Sequence, residues 1–110
     1  MNLGTFSGAS CAPALTARIE ALCEQSEFSR ITNGRFKGGY TTRHYGRPLQ
    51  GVHAVQMELA CRGYMQEPAG AVTELNWPPP YDPARAAPLR STLKKVLEAC
   101  SVFARAETVE

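Results

Sequence analysis

From Phe28 to Met57 the chain contains neither Asp nor Glu. The same interval carries Arg30, Arg35, Lys37, Arg43 and Arg47, together with both histidines of the chain, His44 and His53. Other absences narrow the field further. No CxxC pair occurs among Cys11, Cys23, Cys61 and Cys100, which argues against a zinc ribbon or a thioredoxin-type redox pair. Buried, reduced thiols are expected instead, as suits a cytoplasmic protein. The opening residues MNLGTFSGAS lack a basic n-region and an apolar h-region, so no signal peptide is expected. No apolar run approaches the ~20 residues that cross a bilayer, so no membrane partner is expected. There is no HxxH or HxxE spacing, and the two histidines lie too far apart in sequence to nucleate a zinc site by themselves. A net charge of +2 is too small to imply a nucleic-acid partner on its own.

What is present reads as one small domain: 110 residues, 44% hydrophobic and 20% charged. Residues 1–10, with Gly4, Ser7, Gly8 and Ser10, read as a loop whose Ser10 caps a following helix. Leu15, Ile19, Leu22 and Cys23 recur at helical spacing and predict a helix over 11–25, with Pro13 tolerated in its first turn. Phe28–Thr32 is a short candidate strand, Asn33-Gly34 a turn, and Gly38-Gly39 a break. Tyr40–Tyr45 alternates aromatic and β-branched residues, as a strand or extended segment would. Val52–Ala60 is the best strand pattern. It places Gln56 and Glu58 on one face and His53, Val55, Met57 and Leu59 on the other, both faces apolar enough for a covered central strand.

Arg62–Tyr81 reads as a loop with polyproline-like backbone at Trp77-Pro78-Pro79-Pro80, which lacks the basic flanks of an SH3-type ligand. Asp82-Pro83 opens a long helix with Leu89, Leu93, Val96, Leu97, Cys100 and Phe103 on one face, and Pro88 predicts a kink or restart. The order implies an α/β or α+β arrangement, a partial sheet covered by two helices. Three short strands make an incomplete sheet, and with the turn-rich opening segment this suggests a fragment.

Several chemistries compete for the cationic stretch. Glu58 ends the acid-free interval near the C-terminal end of the best strand, where open α/β sheets place ligands and where burial would suit a carboxylate to proton transfer. The blander alternative is a strand-edge Glu paired with a cation such as Arg62. Arg43, His44, Arg35 and Lys37 surround a Gly-rich turn and could bind an acidic small molecule, or could form a solvated basic loop. A nucleic-acid-binding module is the rival from another class, because Phe36, Tyr40 and Tyr45 interleave with the cations across 33–47; no RNP-type or KH-type motif supports it. Cys11, read at a helix N-terminus, would have a lowered pKa, but no triad partner accompanies it. A marginally stable, non-catalytic remnant is the third possibility.

The ordered series NGRFKGGYTTRHYGRP, GVHAVQMELACRGYM and YDPARAAPLRSTLKKVLEA, with NLGTFSGASCAP ahead of it, resembles the C-terminal part of the N-formylglutamate amidohydrolase (deformylase) family. The resemblance covers nearly the whole chain. It implies a zinc carboxypeptidase-like α/β fold and hydrolysis of N-formyl-L-glutamate to formate and L-glutamate in histidine degradation. It also implies a divalent metal, zinc by preference, that activates water. Glu58 in HAVQMEL matches the general base, and Arg43 in TRHYG is the choice for a substrate carboxylate, with His44, Asn33 and Lys37 as weaker pocket candidates. The family's metal-binding portion has no counterpart here, so residues 1–110 read as the C-terminal portion of one domain, without metal ligands and inactive alone.

Overall fold

The structure, a computed structural model, describes residues 1–108. Its elements run β1 (Asn2–Gly4), α1 (Pro13–Glu24), β2 (Ile31–Thr32), α2 (Tyr40–Tyr45), β3 (Gln56–Glu58) and α3 (Pro83–Thr108), with 3-10 turns at Pro48–Gln50 and Cys61–Gly63. The three strands form one mixed sheet in the order β2-β1-β3. β1 runs parallel to β2, with Asn2 opposite Ile31, and antiparallel to β3, with Leu3 opposite Met57. The parallel pair needs a crossover, and α1 supplies it.

The centre of this sheet is therefore in residues that read as a loop. Leu3 is 0% exposed, and its side chain joins Cys11, Leu15, Ile19, Cys23 and Val96 in the core. Three residues ending at Gly4 are too few to show a period, and their strand character comes from pairing with distant segments. The turn chemistry acts one step later: Phe6, Ser7 and Gly8 all take positive φ.

Helix α1 forms as expected, with Leu15, Ile19 and Cys23 buried and Pro13 at its start. Its cap is Ala12 rather than Ser10. The Ser10 hydroxyl instead donates to the Ala54 carbonyl at 2.8 Å, and its own carbonyl accepts from Ala54 N–H at 2.9 Å. Both helices meet in the single core around Leu3, so they do not sandwich the sheet between them as the pattern of Val52–Ala60 implied.

That segment is also shorter as a strand than its pattern. Only Gln56–Glu58 joins the ladder. Val52 folds back on Arg47, exchanging backbone hydrogen bonds at 2.7 and 3.1 Å around the Pro48–Gln50 turn, and Gly51 takes the left-handed φ of 76° that this reversal requires. Ala54 is meanwhile held by Ser10. β3 is an edge strand, and its residues are partly buried or exposed rather than core.

Tyr40–Tyr45 is a helix, not a strand. Its residues favour strands, but Gly39 and Gly46 bracket it, and Thr42 buries its side chain against Gly38, where a Cβ would fall 2.8 Å from Thr42 Cγ2. Tertiary fit overrides propensity over so short a span.

α3 begins as read. Asp82 Oδ1 accepts from Arg85 N–H at 3.1 Å, and its carbonyl accepts from Ala86 N–H at 2.9 Å. The helix then runs unbroken through Pro88 for 26 residues, without the expected restart. Its buried stripe is Ala86, Leu89, Thr92, Val96 and Ala99; Leu97, expected on that stripe, is 70% exposed. The segment between, 64–82, carries no helix or ladder strand and is closed by a bridge between Met65 and Tyr81.

Candidate active site

Three pieces meet around the side chain of Gln56. The first is β3 itself, where the two-residue period puts Gln56 and Glu58 on one face. The second is the segment 33–39, which wraps over β1. Asn2 fixes it at Phe36, donating from Nδ2 to the Phe36 carbonyl at 2.6 Å and accepting Phe36 N–H at 3.3 Å. The Lys37 carbonyl accepts Phe6 N–H at 2.7 Å. This approach needs glycine at position 4, where a Cβ would sit 2.8 Å from the Lys37 carbonyl carbon. The third piece is α2, capped by Gly39, which carries Arg43 and His44 in its last turn.

Gln56 links all three. Its Nε2 donates to Glu58 Oε1 at 2.8 Å, and its Oε1 accepts Gly39 N–H at 2.6 Å. The Gly39 carbonyl in turn accepts Arg43 Nε at 3.3 Å. One side-chain amide thus orients the carboxylate and holds the start of the helix that bears the guanidinium. Sequence reasoning passed over Gln56; its place two residues before Glu58 on the same face was the available signal.

Glu58 is exposed, so the buried setting expected for it is absent. A carboxylate at the end of an edge strand with a half-solvated pair of neighbours meets open space. Arg43 is also exposed, and its bond to Gly39 through Nε leaves the two terminal nitrogens for a bidentate partner. His44 is exposed and stacks on Tyr40 at 4.9 Å with Tyr45 edge-on at 4.7 Å, so the aromatic rings of this segment pack on one another. Lys37 contributes its backbone to the wrap and leaves its side chain exposed.

Asn33 is engaged elsewhere. At φ 52°, its Oδ1 accepts Thr5 N–H at 2.9 Å and Ser7 N–H at 3.3 Å, and its Nδ2 donates to Thr5 Oγ1 at 2.8 Å. These bonds satisfy the buried Thr5 and lock the turn after β1. Asn33→Gly keeps the left-handed backbone without strain and removes only the side chain. It is expected to cost about 1–3 kcal/mol in urea denaturation, the usual penalty for orphaned buried polar groups. A loss below about 0.5 kcal/mol would return Asn33 to the pocket candidates.

His53 is likewise occupied at both nitrogens. Nδ1 accepts Ala12 N–H at 3.1 Å, so Nε2 carries the proton and faces Glu107 Oε2 at 2.9 Å, while Phe103 packs edge-on at 5.1 Å. Among the described residues no group of three or more His, Cys, Asp or Glu is placed to hold a metal. The described side chains therefore do not make up a metal centre of their own. Cys11 does not take the activated role either. Burial pushes its thiol up, against the lowering effect of Thr16, and burial raises Cys23 and Cys100 in the same way. A cavity of about 290 Å³ lies just beyond β3, lined by Leu59, Ala60, Arg62 and Arg85 among others, but Glu58 is not part of its wall.

The N-formylglutamate amidohydrolase family model matches residues 1–65. The chain is 49% identical over 105 residues to an N-formylglutamate deformylase of Pseudomonas aeruginosa, covering 94% of this chain and 36% of the relative. It is 48% identical over 99 residues to an N-formylglutamate deformylase of Pseudomonas putida, covering 89% and 34%. The chain thus spans about a third of the length of the curated relatives it matches. In fold it is similar to the crystal structure of an N-formylglutamate amidohydrolase from Ralstonia eutropha JMP134, with a TM-score of 0.74 at 22% identity over 96% of this chain and 34% of that one.

Proposed function

We infer the function from one premise: this chain belongs to the N-formylglutamate amidohydrolase family. It supplies the proton-transfer and carboxylate-binding side of a site that hydrolyses N-formyl-L-glutamate to formate and L-glutamate. The observation that carries this reading is the hydrogen-bonded chain Glu58–Gln56–Gly39–Arg43, which supports reading Glu58 as the base and Arg43 as the anion-binding fork of one site. The names of the relatives supply the substrate.

In this reading the Glu58 carboxylate takes a proton from the attacking water as the oxygen joins the formyl carbon. It returns that proton to the glutamate nitrogen as the C–N bond breaks. Arg43 pairs with a carboxylate of the substrate, away from the reacting carbon. His44 and Lys37, both exposed, are the further candidates for contact with the substrate. Any divalent metal, zinc being the choice the family suggests, would take its ligands from outside these residues and would supply activation of the attacking water. The whole protein then has a zinc carboxypeptidase-like fold, serves histidine degradation in the cytoplasm, and needs more than this chain for turnover.

The test is a chimera in which this chain replaces the aligned 105 residues of the P. aeruginosa relative, assayed for formate release. Arg43→Ala in that chimera is expected to raise KM about 10- to 100-fold with kcat changed far less, from the loss of one charged hydrogen-bonding pair. An unchanged KM removes Arg43 from the pocket. A chimera that folds but releases no formate sinks the functional reading.

A further inference from the structure

The outer side of β3 faces no strand among the described residues. Alongside it, between residues 48–57 and the C-terminal half of α3, runs an apolar groove of about 1140 Å³. Its walls include Leu49, Val52, Val55, Met57, Leu97 and Phe103. Leu49 is fully exposed and Leu97 is 70% exposed. One exposed leucine is ordinary, but a continuous apolar trough beside an open strand edge is the form of an interaction surface. The molecule is also extended for its length: its radius of gyration is 15.9 Å, against about 13 Å for a compact domain of this size.

The fold comparison indicates what would fill the trough. This chain superposes on about a third of a solved relative, with its own residues nearly all used, so roughly two-thirds of that fold is polypeptide with no counterpart here. We propose that the β3 edge and the groove between residues 48–57 and α3 form an association surface for a polypeptide carrying the remaining two-thirds of the N-formylglutamate amidohydrolase fold. That partner adds a strand along β3, where main-chain groups give affinity, and inserts apolar side chains between Leu49, Val52 and Leu97. The β3 ladder is only three residues long, so most of the binding comes from the trough. The proposal rests on family membership and on the groove, and not on the role of Glu58.

The test co-expresses this chain, affinity-tagged, with the P. aeruginosa relative from which the aligned 105 residues have been removed. Size exclusion with light scattering then reads the stoichiometry. A 1:1 complex is expected, weakened at least 10-fold by Leu97→Glu and by Leu49→Glu. Both side chains are solvent-exposed in this chain, so circular dichroism should report unchanged folding. Leu75→Glu, equally exposed but outside the groove, should leave the complex intact. Absence of a complex, including insolubility of the truncated relative beside this chain, overturns the proposal. So does a complex indifferent to Leu97→Glu and Leu49→Glu, or a groove-dependent homodimer of this chain alone. A 1:1 complex that releases no formate leaves the surface standing and counts against the functional reading only.

Discussion

Glu58→Gln in the chimera is expected to lower kcat about 10²- to 10⁴-fold while leaving KM and the melting temperature close to the parent's, the range spanned by loss of a general base. Gln has the same shape and its oxygen can still accept the bond from Gln56 Nε2, so the relay to Gly39 survives. What disappears is the basic oxygen that receives the water proton. Because the side chain is exposed, the substitution removes no packing, and any stability change should stay within about 0.5 kcal/mol. Formate release measured at saturating substrate separates this from a binding defect. Turnover within a few-fold of the parent would dismiss Glu58 as the base and leave it a strand-end carboxylate paired with its neighbour.

The largest stability effect should come from a residue with no part in the chemistry. Leu3→Ala is expected to cost about 2–5 kcal/mol, since truncating a leucine deletes transfer free energy and opens a cavity. Leu3 is 0% exposed, sits in the one strand among the described residues with a partner on both sides, and shares the core with Leu15, Ile19 and Val96. A domain of this kind has about 5–15 kcal/mol in total, so this one change can remove much of it. Urea denaturation monitored by circular dichroism gives the measurement. A cost below about 1 kcal/mol would mean that the core does not depend on β1.

Local chemistry was legible in the sequence wherever the controlling residues are neighbours. The stripe Leu15, Ile19, Cys23 gave α1, and Asp82 with Pro83 gave the start of α3. Long-range pairing was not legible. β1 hides in a glycine- and serine-bearing segment because its partners are residues 31–32 and 56–58. Tyr40–Tyr45 carries strand-forming residues that tertiary fit turns into a helix, and the ring stacking of Tyr40 on His44 reflects that helical spacing. The carboxylate stands out from the acid-free interval before it, yet its exposure is not legible, because the apolar alternation of Val52–Ala60 predicts a strand covered on both faces and β3 is an edge strand. Gln56 was missed because an amide carries no charge to mark it, although its two bonds connect the candidate base to the candidate anion binder.

The pairing of β1 with β3 also sets a clock. Glu58 follows its partner Asn2 by 56 residues, so during synthesis at about 5–20 residues per second the first strand waits roughly 3–11 s for the second. Through that interval Leu3 can pair only on its β2 side, with Thr32, and α1 can form only against unfinished surroundings. The segment that closes the second side of β1 is the one that brings Glu58 into place, and Val96 of α3 completes the core later still. A nascent chain arrested before residue 58 should therefore present its central leucine to chaperones, whereas one arrested after α3 has emerged should not.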